Sequence, residues 1–180
     1  MPAHRLPDVP GRVAIPVPAQ TRTTPTPLHF FNTASPEDTV STLLTCLHST
    51  PWAHRIAAHR PYPDLPALLA AADEASYDLS AEDLTEALAA ESLPTLPEGT
   101  YAAAGTALRA AHAAYESRFG HAFVICLDGI PEDERLNHVL TAVRSRLAND
   151  PEDERVIAAE ELRRLAGERL RRILRGATSP

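Results

Sequence analysis

Residues 100–127 read TYAAAGTALRAAHAAYESRFGHAFVICL, and the rest of the chain is arranged around them. From Tyr101 to Phe119 the residues are mostly alanine, with Leu108, Arg109, Glu116 and Arg118 among them and no proline. Such strong helix formers predict one long helix. Gly120 follows the last periodic residue, where a left-handed backbone can end the helix. His121 then leads into Phe123-Val124-Ile125-Cys126-Leu127, a wholly apolar run that must be buried. If that run lines a site, it does so with backbone N–H and C=O groups and with shape.

Working outward, helix signals recur on both sides. Ser35-Pro36-Glu37-Asp38 has the order of an N-cap, a first-turn proline and first-turn acids, followed by Val40, Leu43, Leu44 and Leu47 on one face. Thr50-Pro51 breaks that helix, and Trp52 opens another that runs to His59. Arg60-Pro61-Tyr62-Pro63 is an extended link. A third helix is expected from about Leu65 to Ala75. Ser80 with Asp83 has the form of a capping box for a fourth, carrying Leu84, Ala87 and Leu88. The prolines and glycine of residues 91–99 mark a loop that delivers the chain into the central helix. Beyond the apolar run, Asp128-Gly129-Ile130-Pro131 turns the chain, and Glu132 to Glu134 open a helix with a stripe of Leu136, Val139, Leu140, Val143 and Leu147. Asp150-Pro151-Glu152 start the last helix, with Leu162, Leu165, Ala166 and Ile173 on one side. With no strand pattern anywhere, these signals predict a single all-α helical bundle of six to eight helices over residues 28–176. Residues 1–27 hold seven prolines, which predicts an extended or disordered arm.

The chain's 180 residues suffice for one domain with a buried core, and 23% charged and 44% hydrophobic residues suit a soluble globular protein. All seventeen basic residues are arginine, and the net charge is -7. That balance argues against nucleic acid as the main partner. The cluster of Arg163, Arg164, Arg169, Arg171, Arg172 and Arg175 reads mainly as a solvated helix face. Cys46 and Cys126 lie in apolar segments and read as buried thiols of a reducing compartment, hence a cytoplasmic protein. No apolar run approaches the ~20 residues that span a bilayer.

The seven glycines are scattered singly, so no phosphate loop is present, and the eight histidines have no metal-site spacing. The loop Glu91–Glu98 carries the most chemistry. It places two carboxylates, Ser92 and Thr95, between helices and opposite the buried run. A carboxylate desolvated there can exchange protons with a ligand, and it can equally be an exposed connector. Arg169, four residues after Leu165 on the apolar side of the last helix, can bind a ligand's carboxylate through its planar fork or pair with a structural acid.

Tyr115, Phe119-Gly120 and Phe123 to Cys126 resemble the central signature of the ureidoimidazoline decarboxylases. These enzymes of urate breakdown act on 2-oxo-4-hydroxy-4-carboxy-5-ureidoimidazoline. Ser49 with Trp52, Arg60-Pro61-Tyr62, Arg146-Leu147-Ala148-Asn149, and Glu160-Glu161-Leu162 through Arg169-Leu170 resemble the family's other motifs in order, so the likeness covers residues 30–175. It implies an all-α, cofactor-free and often dimeric protein, so a homodimer with a small-molecule substrate is expected; spacing, charge and hydropathy speak against a metal, nucleic acid or membrane partner. The family's histidine-proline pair, whose histidine is taken to be the proton donor, is replaced by Glu91-Ser92. Its substrate-holding serine-x-x-glutamate-glutamine segment is matched only by Thr95-x-x-Glu98-Gly99, and an asparagine before the tyrosine is His112. The resulting candidates are Glu91, Glu98 and His112 as catalytic groups. Ser92, Thr95, Phe123, Val124, Ile125, Cys126 and Arg169 are the candidate substrate contacts. The most economical reading is a divergent decarboxylase of the same intermediate; an enzyme on another small acid and a non-catalytic binding protein are the alternatives.

Overall fold

The computed structural model describes residues 26–94 and 100–176. Its described elements are all helical: α1 (Pro27–Thr33), α2 (Pro36–Cys46), α3 (Thr50–Ala58), α4 (Leu65–Tyr77), α5 (Ala81–Ala89), α6 (Thr100–Phe119), α7 (Arg135–Arg146) and α8 (Pro151–Gly176). The proline-rich residues 1–25 lie outside the described part.

Local chemistry sets the helix starts. Thr26, Ser35, Ser49, Asp64 and Ser80 each accept a first-turn N–H through a side-chain oxygen, and four of these helices carry proline at N1 or N2. The capping box of Ser80 and Asp83 is formed in both directions. Thr50-Pro51 is a correction: the pair does not separate two helices but starts α3. Ser49 caps it, and the proline falls where its missing N–H costs nothing. The segment near Leu28 is likewise already helical, as α1. At the other end, Glu132 to Glu134 form a turn, and α7 starts only at Arg135. Glu134, which precedes it, makes no side-chain cap. The central helix stops as expected, with Gly120 at φ 79°.

The buried residues fall into two groups. One joins α1 to α5 with α8, around Leu43, Trp52, Ile56, Leu68, Leu162 and Leu170. The indole N–H of Trp52 is satisfied at 2.9 Å by the Ala72 carbonyl. The other joins α6 and α7 through Leu108, Tyr115, Val139 and Val143. The run after Gly120 stitches them together: Val124 packs into the first group, Phe123 and Ile125 into the second. Side chains of an extended segment alternate in direction, so a run buried on both sides must be apolar throughout. Most arginines of α8 make ion pairs on its surface, among them Arg163 with Asp73 and Glu160, Arg164 with Glu161, and Arg171 with Glu168. That is the solvated face expected from the sequence, and Arg169 is its exception.

Candidate functional site

The apolar run has no β partner among the described residues, so charged side chains satisfy part of its backbone. The Val124 carbonyl accepts from Arg146 Nη1 at 2.7 Å, and the Cys126 N–H donates to Glu161 Oε2 at 2.7 Å. Hydrogen bonds with one ionised partner are the stronger kind, and these hold the run from α7 and α8. Arg146 is fixed in turn. Its Nε and Nη2 donate to Glu154 Oε1 at 2.8 and 2.6 Å, and its guanidinium lies 4.6 Å from the Phe123 ring centroid. Glu154 is fully buried and also accepts from the Tyr115 hydroxyl and, at 2.8 Å, from Asn149. Burial and the bond to Glu154 push the Tyr115 hydroxyl well above its usual range, with Arg146 opposing, so it stays a donor. The Tyr115 and Arg146 signatures thus belong to a buried frame behind the site, and Glu154, which no sequence motif singled out, is its centre.

One side of the run faces a cavity of about 520 Å³, walled by Phe123 to Leu127 and Leu165, with Glu91, Ser92 and Arg169 inside and Asp128, Arg135, Glu168 and Arg172 also lining it. Its size suits a small molecule. Glu91 and Arg169 form a two-pronged ion pair. Arg169 Nη1 and Nη2 donate to the two Glu91 oxygens at 2.7 Å each, and Nη1 also donates to the Cys46 carbonyl at 3.0 Å, at the C-terminal end of α2. The Glu91 side chain is 6% exposed and that of Arg169 33%. The bond to Glu91 pushes the Arg169 guanidinium above its already high value, against desolvation, so its charge is permanent. Burial pushes the neighbouring Cys46 thiol up to about 11, which leaves it protonated and inert near neutral pH.

Of the residues singled out in the sequence, Glu91, Ser92, Phe123, Val124, Ile125, Cys126 and Arg169 therefore meet in one cavity. Thr95 and Glu98 lie outside the described residues. His112 does not line the cavity. Its position on α6, four residues after Leu108 and three before Tyr115, turns it into the second core, where it is 3% exposed and stacks on Phe123 at 5.8 Å between ring centroids. Arg135, Glu161 and Arg172 were missed as site residues. A charged residue on an otherwise polar helix face carries no local mark of what it will touch.

Burial lowers the His112 pKa below its usual 6.5, only partly opposed by Glu116, and its Nε2 has no hydrogen-bond partner. A histidine held neutral in the fold takes up its proton on unfolding. The chain therefore has this contribution in full above about pH 6.5 and loses it as the pH falls, at up to about 1.4 kcal/mol per pH unit. His112→Leu is expected to flatten that part of the stability profile. Urea titrations between pH 5 and 7.5 would show it, and an unchanged slope would mean that His112 does not titrate on unfolding.

Among the described residues no group of three or more histidine, cysteine, aspartate or glutamate side chains could hold a metal ion, and no helix is long and apolar enough to cross a membrane. The described residues thus define a helical bundle whose closing helix and buried run enclose a small cavity with an arginine-carboxylate pair. The family model of OHCU decarboxylase, acting on the 2-oxo-4-hydroxy-4-carboxy-5-ureidoimidazoline named above, matches residues 32–99 and 91–171. The chain belongs to the OHCU decarboxylase family. No curated protein matches it. Among solved structures it is similar to an OHCU decarboxylase crystallised in the presence of (S)-allantoin, with 22% identity, a TM-score of 0.63, and coverage of 79% of this chain and 99% of that one. It is also similar to an (S)-allantoin synthase, with 19% identity, a TM-score of 0.65 and coverage of 83% of this chain. The chain spans 54% of that protein's length. At these identities the two structures speak for the fold.

Proposed function

We propose that the protein decarboxylates 2-oxo-4-hydroxy-4-carboxy-5-ureidoimidazoline, without a cofactor, in the cavity between the apolar run and Arg169. The observation that carries this reading is the convergence of Glu91, Ser92, Arg169 and the Phe123–Cys126 run on one small cavity, in a chain whose family acts on that substrate. In the reaction the bond from ring carbon to carboxylate breaks, carbon dioxide leaves, and the electron pair stays on the ring until a proton arrives on one face. A low-dielectric wall such as Phe123 and Ile125 favours a carboxylate that gives up its charge as carbon dioxide leaves, while Arg169 holds the ligand in place for that step. Glu91 is hydrogen-bonded through both oxygens to Arg169, so its part at rest is to hold the guanidinium. The proton then comes from Glu98 or from a water on the open side of the cavity, and His112 serves the wall from behind as packing for Phe123.

The same pairing favours a second reading, a protein that binds a ligand of this class without turning it over. Glu91 is held on Arg169 and His112 is buried in the core, so neither of these two stands as a free acid in the cavity. One assay separates the two. The intermediate is generated in situ by urate oxidase and hydroxyisourate hydrolase, and its decay and the handedness of the allantoin formed are followed. Faster decay with single-handed product is the expected result. Decay at the spontaneous rate by a folded preparation would leave the binding protein.

A further inference from the structure

We infer that Glu91 makes this cavity select the neutral carbonyl end of a ureido ligand over its carboxylate. The inference rests on the reading of this cavity as the ligand site. A guanidinium presents its N–H donors in a planar fork with two usable edges. Glu91 takes the edge made by Nη1 and Nη2, and the Cys46 carbonyl takes the other Nη1 hydrogen. Among the described residues the Nε–H and the second Nη2 hydrogen meet no acceptor, and together they form the remaining edge. Two donors on one rigid edge suit a planar acceptor oxygen, such as that of a urea or ring amide.

Charge decides which acceptor. With Glu91 against it at 2.7 Å on two bonds, Arg169 is close to neutralised as seen from the cavity, and a ligand carboxylate on the free edge would also face the carboxylate of Glu91. A urea carbonyl pays no such repulsion. This also fits a decarboxylation: the carboxylate loses its charge on the way to the transition state, so a cation clamped on it stabilises the reactant more than the transition state. A neutralised arginine that grips the other end of the ligand leaves the carboxylate to the apolar wall. In these terms Glu91 is a positioning and specificity-determining residue that acts through Arg169.

The test uses the full chain and two probes of nearly equal shape, N-carbamoylglycine and its neutral amide, titrated calorimetrically at pH 7.5. The wild type is expected to bind the amide at least as tightly as the acid. Glu91→Gln removes the countercharge and is expected to shift the ratio toward the acid by about tenfold, the scale of one charged hydrogen bond. A mere structural role for Glu91 would weaken both probes alike, and that result overturns the inference. So does a wild type that prefers the acid tenfold or binds neither probe, measurements that need no variant to fold. A chain that speeds decay of the urate intermediate yet prefers the acid probe keeps the proposed activity and loses this inference. One that discriminates as stated but leaves decay at the spontaneous rate does the reverse.

Discussion

Glu154→Ala should lower the unfolding free energy by about 3–5 kcal/mol, the usual cost of removing one partner from a buried ion pair. Glu154 is fully buried and accepts from Arg146, Tyr115 and Asn149. Without it the guanidinium of Arg146 remains buried with its charge uncompensated, and the Tyr115 hydroxyl loses its acceptor. The loss arises from an unpaired charge rather than from a missing attraction, so removing both partners should be gentler. Arg146→Met with Glu154→Leu is expected to recover much of the deficit, because an apolar replacement of a buried pair is often close to neutral. Urea unfolding of the two single variants and the double variant forms the cycle. A single-variant cost below about 1 kcal/mol would show that water reaches the pair. The double variant carries its own signature: Arg146 Nη1 no longer holds the Val124 carbonyl. A stable double variant with weakened ligand binding would show that the frame aims the run as well as supporting it.

How far this was readable beforehand depends on how local each cause is. Caps are local: Ser35, Ser80 and the glycine stop at Gly120 announce themselves within four residues, and the structure keeps them. Thr50-Pro51 misled because a proline after a threonine can end one helix or begin the next. The choice fell to Ser49, whose side chain accepts from the Trp52 N–H. The burial of Phe123 to Cys126 was legible because any run with no polar side chain must be covered. The two groups it packs between were not. The site divides in the same way. Glu91 and Arg169 were each visible as candidates, but their pairing joins residues far apart in sequence, so both readings of Arg169 stayed open until the fold brought the carboxylate to it. His112 looked like a catalytic substitute because a family position drew attention to it. Helix phase puts it beside Leu108 and Tyr115 in the core, with Phe123 between it and the cavity.

Phe123→Ala should be costly twice over. The ring is fully buried, edge-on to Tyr115 at 5.0 Å between centroids, stacked on His112 at 5.8 Å and under the Arg146 guanidinium. Emptying that space should cost about 3–5 kcal/mol, as lost transfer energy plus the cavity left behind. The aromatic face that the Arg146 cation leans on goes as well. The second cost falls on the proposed site, since Phe123 separates the cavity from the core that holds His112. Its loss joins the new void to the cavity, lets water reach His112 Nε2, and removes the low-dielectric wall argued to favour loss of the carboxylate. Phe123→Leu keeps most of the volume and should cost much less stability. If the wall acts by excluding water, activity should follow volume and survive in the leucine variant. If it acts by aromatic contact, the two variants should lose activity alike despite their different stabilities. Calorimetric melting separates the stability effects, and the decay assay, run well below either melting temperature, separates the two accounts of the wall. An alanine variant as stable and as active as the wild type would contradict both, and would mean that Phe123 neither bounds the site nor supports the core behind it.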